Sequence, residues 1–389
     1  MDAAIVGTGI TRFGMFVGTR LRKLASCAAD RALDDAGLDA ADVDLVVVGN
    51  AAAGLLTGQE MIRAHTALAD SRVAGRPMLS VENACASSSS AVHLGILAVA
   101  SGAHDTVLVV GAEKMTSADR TLAGRTLATA VDLEREGQVA PDGAARPVFM
   151  EIYAAEARAY MQRSGATPRD LAAVAAKSSH NGSLNPIAQV RDPLTVDEVL
   201  AARTIVDPLT RPMCSSIGDG AAALVLTRPE LARRRGQQAV RVLASTVGAA
   251  RAGDAGDVVA RTARRAYEQA GLGPADVDVC EVHDAAAPAE LLIAEELGLV
   301  PAGGAVALAR DGAFTLGGRC PINPSGGLVA RGHPIGATGA AQIVELADQL
   351  RARAGGRQVE GAGTALAENA GGSLGNGPAA CVVTLLAAP

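Results

Sequence analysis

Aromatic residues make up 2% of this 389-residue chain, which has four Phe, three Tyr and no Trp. Its core must therefore be filled by Ala, Val and Leu with close backbone packing, and base-stacking platforms or aromatic sugar sites are not expected. Basic charge is not in excess: 35 Lys and Arg against 41 Asp and Glu leave a net charge of −6. No polybasic run stands out, so the field that would gather nucleic acid is missing. No uninterrupted apolar run reaches the roughly 20 residues needed to span a bilayer. The start, Met1-Asp2-Ala3-Ala4-Ile5-Val6-Gly7, is acidic and strand-like and does not fit a cationic signal peptide. The six cysteines show no C-x-x-C spacing, which argues against a disulfide framework and against a zinc site, and a reducing cytoplasm is expected. No phosphate-binding glycine loop occurs. Gly7-Thr8-Gly9 lacks the third glycine of a dinucleotide fingerprint and reads as a turn after the first strand.

Against these absences stands one dense motif, Pro324-Ser325-Gly326-Gly327-Leu328-Val329-Ala330-Arg331-Gly332-His333-Pro334-Ile335-Gly336-Ala337-Thr338-Gly339. It sets a histidine among glycines that let backbone approach a ligand. The apolar helix that follows points its positive end back at His333 and favours a neutral imidazole, able to take a proton or to donate an N–H to an oxyanion. The nucleophile to match is Cys85, in Asn83-Ala84-Cys85-Ala86-Ser87-Ser88, where a strand-like run gives way to a small-residue helix. A thiol at a helix N-terminus is expected to have a lowered pKa; the competing reading is a buried structural thiol.

The segment Ala32–Asp44 recurs as Ala266–Asp278, an offset of 234 residues. Each copy reads as a helix closed by an Ala-Gly cap, then a turn and an apolar strand, Leu45-Val46-Val47-Val48 in one and Val279-Cys280-Glu281-Val282 in the other. Two copies so far apart are the halves of one α/β fold. The same offset sets Gly49 opposite His283, just past a strand end, where open α/β sheets carry ligands. Within the first half, 116–213 is more polar and Arg-rich. It has turn prolines at Pro141, Pro147, Pro168, Pro186, Pro193 and Pro208 and one clear helix, Glu151 to Arg163.

Cys85 in its Asn-Ala-Cys-Ala setting and the Gly-His-Pro-Ile-Gly-Ala-Thr-Gly stretch at 332–339 resemble the thiolase superfamily over the whole chain. Val282-His283-Asp284 and the missing C-terminal Cys-x-Gly resemble the sterol-carrier-protein and bacterial lipid-transfer branch. The resemblance implies a layered α/β/α/β/α fold of two similar halves, 1–115 with 214–239 and 240–389, and an inserted loop domain, 116–213, on the coenzyme A side. It implies an acyl-enzyme on Cys85, activated by His333, with His283 as oxyanion or acid/base partner and Met150 and Ser215 lining the substrate tunnel. Coenzyme A is then a substrate or product, with no metal and no permanently bound cofactor. A homodimer or dimer of dimers is expected, and an OB-fold, zinc-ribbon companion accompanies some relatives. The reaction is thiolysis of a 3-oxoacyl-CoA or the reverse Claisen condensation; a retro-aldolase or acyltransferase subunit and a non-catalytic acyl-CoA binder are the alternatives.

This chain departs from the family where the second acid/base belongs. The region of Cys-x-Gly reads Glu368-Asn369-Ala370-Gly371-Gly372, and the branch motif His-Asp-Cys-Phe reads His283-Asp284-Ala285-Ala286. His283, set against a structural histidine bonded to Asp284, and Glu368, set against a solvated loop residue, are the candidate replacements. Ser88, where relatives often carry Gly, is expected to narrow the acyl pocket, and Cys320 is the remaining thiol to place relative to Cys85.

Overall fold

The computed structural model describes residues 1–136, 147–251, 256–375 and 377–389; Pro141 lies outside them. Its strands are β1 (Ala4–Ile10), β2 (Leu45–Gly49), β3 (Met78–Val81), β4 (Thr106–Glu113), β5 (Thr204–Val206), β6 (Leu209–Thr210), β7 (Gly220–Thr227), β8 (Val240–Ala249), β9 (Val279–Glu281), β10 (Thr364–Gly371) and β11 (Ala380–Ala387). The six longest helices among the described residues are α1 (Leu21–Ala36), α2 (Ser87–Ala100), α3 (Val148–Ser164), α4 (Pro168–Ser183), α5 (Val258–Ala270) and α6 (Thr338–Leu350).

Nine strands form a sheet in the order β3-β2-β4-β7-β1-β8-β11-β10-β9, and β5 with β6 makes a separate ribbon. The halves meet at β1 and β8, where only Ala4 with Arg241 and Ile5 with Val240 pair. Outward from this seam both sides run antiparallel, antiparallel, parallel. The parallel bridge of Cys280 to Ile322 takes the place that β3 holds in the first half. The sequence repeat is the outer part of this symmetry. α1 ends at Gly37 (φ 63°) and α5 at Gly271 (φ 68°), each turning its N–H back onto the helix in a left-handed conformation that costs glycine little.

Both faces of each half-sheet are covered, so the strands read as nearly continuous apolar runs. Ala91, Val92 and Ile96 of α2 and Ala340, Ala341 and Val344 of α6 fill the middle layer against Val107, Leu224, Val242 and Leu386. α1 covers the outer face of the first half, with Ala25, Ala28 and Ala32 on Val46, Val48 and Ala223. α5 covers the second, with Val259, Ala263 and Ala266 in one cluster with Cys381, Val383 and Leu385. The result is the α/β/α/β/α layering of the thiolase fold.

Small residues set these distances. Gly7 and Gly9 lie inside β1 and not in a turn as expected, because α1 crosses them so closely that a Cβ would stand 2.2 Å from the carbonyl oxygens of Ala32 and Ala28, respectively. In 116–213 the expected helix begins earlier, at Val148, and α4 is a second helix that apolar periodicity did not reveal. Its signals are the capping box of Thr167 and Asp170 and Pro168 at the first position. No helix among the described residues is long and apolar enough to cross a membrane.

Candidate active site

Two equivalent chain entries meet at the centre. Cys85 sits on a 3-10 turn, Ala84–Ala86, that runs into α2; His333 precedes a matching turn, Ile335–Ala337, that runs into α6. His283 arrives from the end of β9. The Cys85 sulfur and one ring nitrogen from each of His283 and His333 lie within 4.8 Å of one another. The imidazoles meet edge to face, with centroids 5.1 Å apart and planes at 80°.

The second half holds the histidine because the small residues have changed sides. Gly49 pairs with Gly111 between β2 and β4, and these two positions correspond to His283 and Asn369 in the second half. In the first half the strands carry glycines and the helix carries Ser88, whose Cα would lie 2.5 Å from a Cβ at Gly49. In the second half the strands carry the large side chains and the helix carries Gly339, where a Cβ would fall 2.8 Å from Asn369 Oδ1. Ser88 does not narrow an acyl pocket. It is fully buried and accepts the Ala340 N–H at 3.0 Å, tying α2 to α6.

The hydrogen bonds assign the protons. Thr338 donates its hydroxyl to the Pro334 carbonyl (3.1 Å) and accepts from His333 Nδ1 (2.7 Å), so His333 keeps its proton on Nδ1 and presents a lone pair at Nε2. Asn369 takes the Ser89 hydroxyl on Oδ1 (2.7 Å) and directs its N–H at His283 Nδ1 (2.9 Å), which leaves the His283 proton on Nε2. One imidazole is thus set to accept and the other to donate. Burial lowers His283 to about 3 and His333 well below the ordinary histidine value, His333 with added repulsion from His283 and Arg331. Both are neutral near pH 7.

The expected low thiol pKa is not found. Burial, reinforced by the charge of Glu113, pushes Cys85 up to about 12, against the opposing N–H groups of Gly372 and of Cys85 itself. Desolvation outweighs the helix terminus, so the resting site holds a thiol and two neutral imidazoles.

Glu368 is not a solvated loop residue. It lies in β10, fully buried, and its Oε2 accepts the His283 backbone N–H at 2.9 Å while Oε1 receives only the Cys381 thiol at 3.7 Å. Burial pushes its carboxyl up to about 7. The alternative bond from His283 to Asp284 is absent; Asp284 Oδ1 takes the Leu328 N–H at 2.7 Å instead. Cys320 lies beside Cys280, whose thiol lowers its pKa, and does not line the cavities that reach Cys85.

Two cavities border His333, and a third, of about 690 Å³, reaches Cys85 from the side of Glu82 and Gly371. Of the first two, one of about 740 Å³ is lined by Cys85, His283, His333 and Glu368 and runs along α3. The other, of about 670 Å³, carries Arg120, Arg203 and Arg211. They share Leu127, Phe149, Met150, Ser215 and His333, so Met150 and Ser215 stand at the junction. Asn369, Tyr153, Glu156 and Glu296 escaped the sequence reading. The spacing of Met150, Tyr153 and Glu156 along one helix face was the available signal.

A Cys-His-His centre between the two halves of this fold defines an acyltransferase of thiolase architecture. Residues 3–230 match the thiolase N-terminal domain family and residues 250–383 the family described as thiolase C-terminal domain-like. The chain belongs to the thiolase superfamily, on the sterol-carrier-protein-like branch. It is 40% identical to an acetyl-CoA acetyltransferase of Methanothermobacter thermautotrophicus, over 96% of this chain and 97% of that protein. It is 37% identical to the benzoylsuccinyl-CoA thiolase subunit BbsB of Thauera aromatica, over 92% and 91%. Human sterol carrier protein 2 is 34% identical over 94% of this chain and 69% of that protein. Among solved structures, the Ltp2-ChsH2(DUF35) aldolase superposes with a TM-score of 0.79 at 26% identity, covering 100% of this chain and 98% of that one.

Proposed function

We propose that this enzyme cleaves a 3-oxoacyl-CoA with coenzyme A, or runs the reverse Claisen condensation, through an acyl group carried on Cys85. As the sulfur bonds to the C3 carbonyl carbon, His333 Nε2 takes the thiol proton and His283 Nε2–H donates to the oxygen that gains charge. The C2–C3 bond then breaks and its electron pair passes to C2. That carbon takes a proton from Glu368, the carboxyl that lines the cavity where relatives place a second cysteine. A shortened CoA ester leaves. Coenzyme A next attacks the acyl-cysteine, its thiol proton going to the Glu368 carboxylate, while the departing Cys85 sulfur recovers its proton from His333. Every group returns to its starting state, and the kinetics are ping-pong. Coenzyme A enters as substrate along the second cavity, where Arg120, Arg203 and Arg211 face its phosphates, and the loop segment 116–213 supplies most of that wall.

The observation that carries this reading is the approach of one sulfur and two ring nitrogens within 4.8 Å on the wall of an open cavity. Intact-protein mass spectrometry after mixing with a panel of acyl-CoA and 3-oxoacyl-CoA esters tests it. The expected result is an acyl adduct that is absent in Cys85→Ala and discharged by free coenzyme A. No adduct on the wild-type chain, or one that survives in Cys85→Ala, would refute it.

A second reading, as the catalytic subunit of a retro-aldolase or acyltransferase complex, is favoured by two names. The structural neighbour is a two-component aldolase and the Thauera relative is called a subunit. The exposed Leu55, Met61, Ile62 and Leu79 offer apolar surface for a second copy, as homodimer or dimer of dimers, or for an OB-fold, zinc-ribbon companion. Light scattering of the chain alone and with such a companion separates these, and adducts formed only with the companion would favour the complex.

A further inference from the structure

The acyl cavity carries polar side chains as well as Cys85 and its partners. Met150, Tyr153 and Glu156 follow one another at three-residue spacing on α3, so Glu156 lies about 9 Å along the helix axis from Met150. Met150 borders both cavities, whereas Tyr153 and Glu156 line only the acyl-side one, and Glu296 joins them from the opposite helix, Pro288–Glu296. Glu156, Glu296 and the Tyr153 hydroxyl make no hydrogen bond or ion pair among the described residues. The acids feel one another: burial first, then the charges of Glu368 and Glu156, push Glu296 up to about 8. Desolvation by its surroundings likewise raises Glu156, although part of its side chain is exposed. Arg163 is the only cation lining this cavity among the described residues; it faces Glu295 at 4.0 Å and stacks over Tyr160 at 4.7 Å. A hydrocarbon acyl chain would leave two carboxyls and a phenol without partners beside an apolar surface, which is unfavourable.

We propose that the acyl group this enzyme carries bears a hydrogen-bond donor, a hydroxyl or an ammonium, along its chain, which Glu156, Glu296 and Tyr153 receive, and that acyl groups ending in a carboxylate are rejected. This rests on the cavity along α3 being the acyl side of the site proposed above. A site built around hydrogen-bonding groups discriminates strongly against analogues that lack the partner, because its own polar atoms are then left unmet.

The test uses S-alkyl-CoA thioethers of equal chain length ending in methyl, hydroxyl, ammonium or carboxylate, with dissociation constants measured by calorimetry. Thioethers cannot acylate Cys85, so this result is independent of the mass-spectrometric test, and either can fail alone. Hydroxyl- or ammonium-ended chains are expected to bind at least about tenfold tighter than methyl-ended ones, with carboxylate-ended chains weakest. In Glu156→Leu/Glu296→Leu the preference should fall to within about threefold. In Glu156→Gln/Glu296→Gln, which keeps the shape, the hydroxyl preference should remain and any ammonium advantage should go. Equal or tighter binding of the methyl-ended chain would overturn the proposal; tightest binding of the carboxylate would overturn it in favour of Arg163 as the anchor.

Discussion

Asn369 directs its side-chain N–H at His283 Nδ1 across 2.9 Å, and this single bond decides which edge of the imidazole faces the reacting atoms. With Nδ1 occupied as an acceptor, the proton is held on Nε2, the edge that donates to the oxyanion in the proposed mechanism. Asn369→Asp presents only acceptors to Nδ1, draws the proton to that side and leaves a lone pair facing the oxyanion. Loss of one such donor typically costs 10²- to 10³-fold in kcat. Asn369→Asp and Asn369→Leu should therefore lower kcat by about 100-fold or more with KM little changed, as steady-state kinetics will read. A rise in KM across a series of acyl-chain lengths would point instead to a collapsed cavity.

The thiol is a resting acid, which separates this site from cysteine enzymes that store a thiolate–imidazolium pair. With Cys85 at about 12 and both histidines lowered, no ion pair forms at neutral pH. The rate of alkylation by iodoacetamide should rise steadily with pH between 6 and 9, about tenfold per unit, without the low-pH plateau a preformed thiolate gives. Mass spectrometry of the Cys85 adduct against time measures it, and a plateau below pH 8 would contradict the assignment.

Behind the two histidines lies a buried ion pair that joins their loops. Glu281 stands two residues before His283 and Arg331 two before His333, and Arg331 Nη1 meets Glu281 Oε2 at 2.9 Å, with side chains 1% and 0% exposed, respectively. The Ser325 N–H and hydroxyl complete the carboxylate at 3.0 and 2.8 Å. Removing one partner strands the other charge in a dry site, which costs roughly 3–5 kcal/mol. Arg331→Met should be destabilised by about that much in urea unfolding. Glu281 is already pushed up to about 7, burial outweighing Arg331. Without the guanidinium the carboxyl rises further and holds its proton in the folded state alone, so the deficit should grow as pH increases from 6 to 8. Arg331→Met/Glu281→Gln should regain most of the loss.

How far the sequence reached has a physical boundary. Cys85, His333 and His283 were legible because glycine-rich approaches and strand ends leave local signatures, and the two halves because a 13-residue unit repeats. The state of Cys85 was not legible: helix position lowers a thiol pKa, and only the packed structure shows that desolvation overrides it. Glu368 stands between two readings in sequence, an acid/base and a solvated loop residue, because Glu-Asn-Ala-Gly-Gly looks like a loop until β11 pairs with it. Asn369 became visible only through register, as the partner of a residue 86 positions away. Gly7 and Gly9 suggest a turn because a glycine that admits a neighbouring helix looks, in sequence, like one that bends the chain.

Glu368 supplies the sharpest pH signature. Its carboxyl is raised to about 7 in the fold and would titrate near the ordinary value of 4.5 when unfolded. Between these values the folded state holds a proton the unfolded chain has released, so this group's contribution to stability falls as pH rises through 5 to 7. Glu368→Gln keeps an oxygen for the His283 N–H and has no proton to lose. Relative to wild type it should gain stability between pH 5 and 8, by at most about 3 kcal/mol for a shift of this size. The same carboxyl gives opposite pH profiles for the two half-reactions of thiolysis. Cleavage needs Glu368 protonated to supply the proton to C2, so kcat/KM for the 3-oxoacyl-CoA should decline above pH 7; attack by coenzyme A needs the carboxylate to take the thiol proton, so kcat/KM for coenzyme A should rise over the same interval. Acyl-enzyme formation from a simple acyl-CoA moves no α-proton and expels a thiolate, a good leaving group even without Glu368 to protonate it, so it should fall much less in Glu368→Gln than the two carbon–carbon steps, which should fall by about 10²-fold or more. If carbon–carbon cleavage proceeds undiminished in that variant, the proton comes from elsewhere in the cavity.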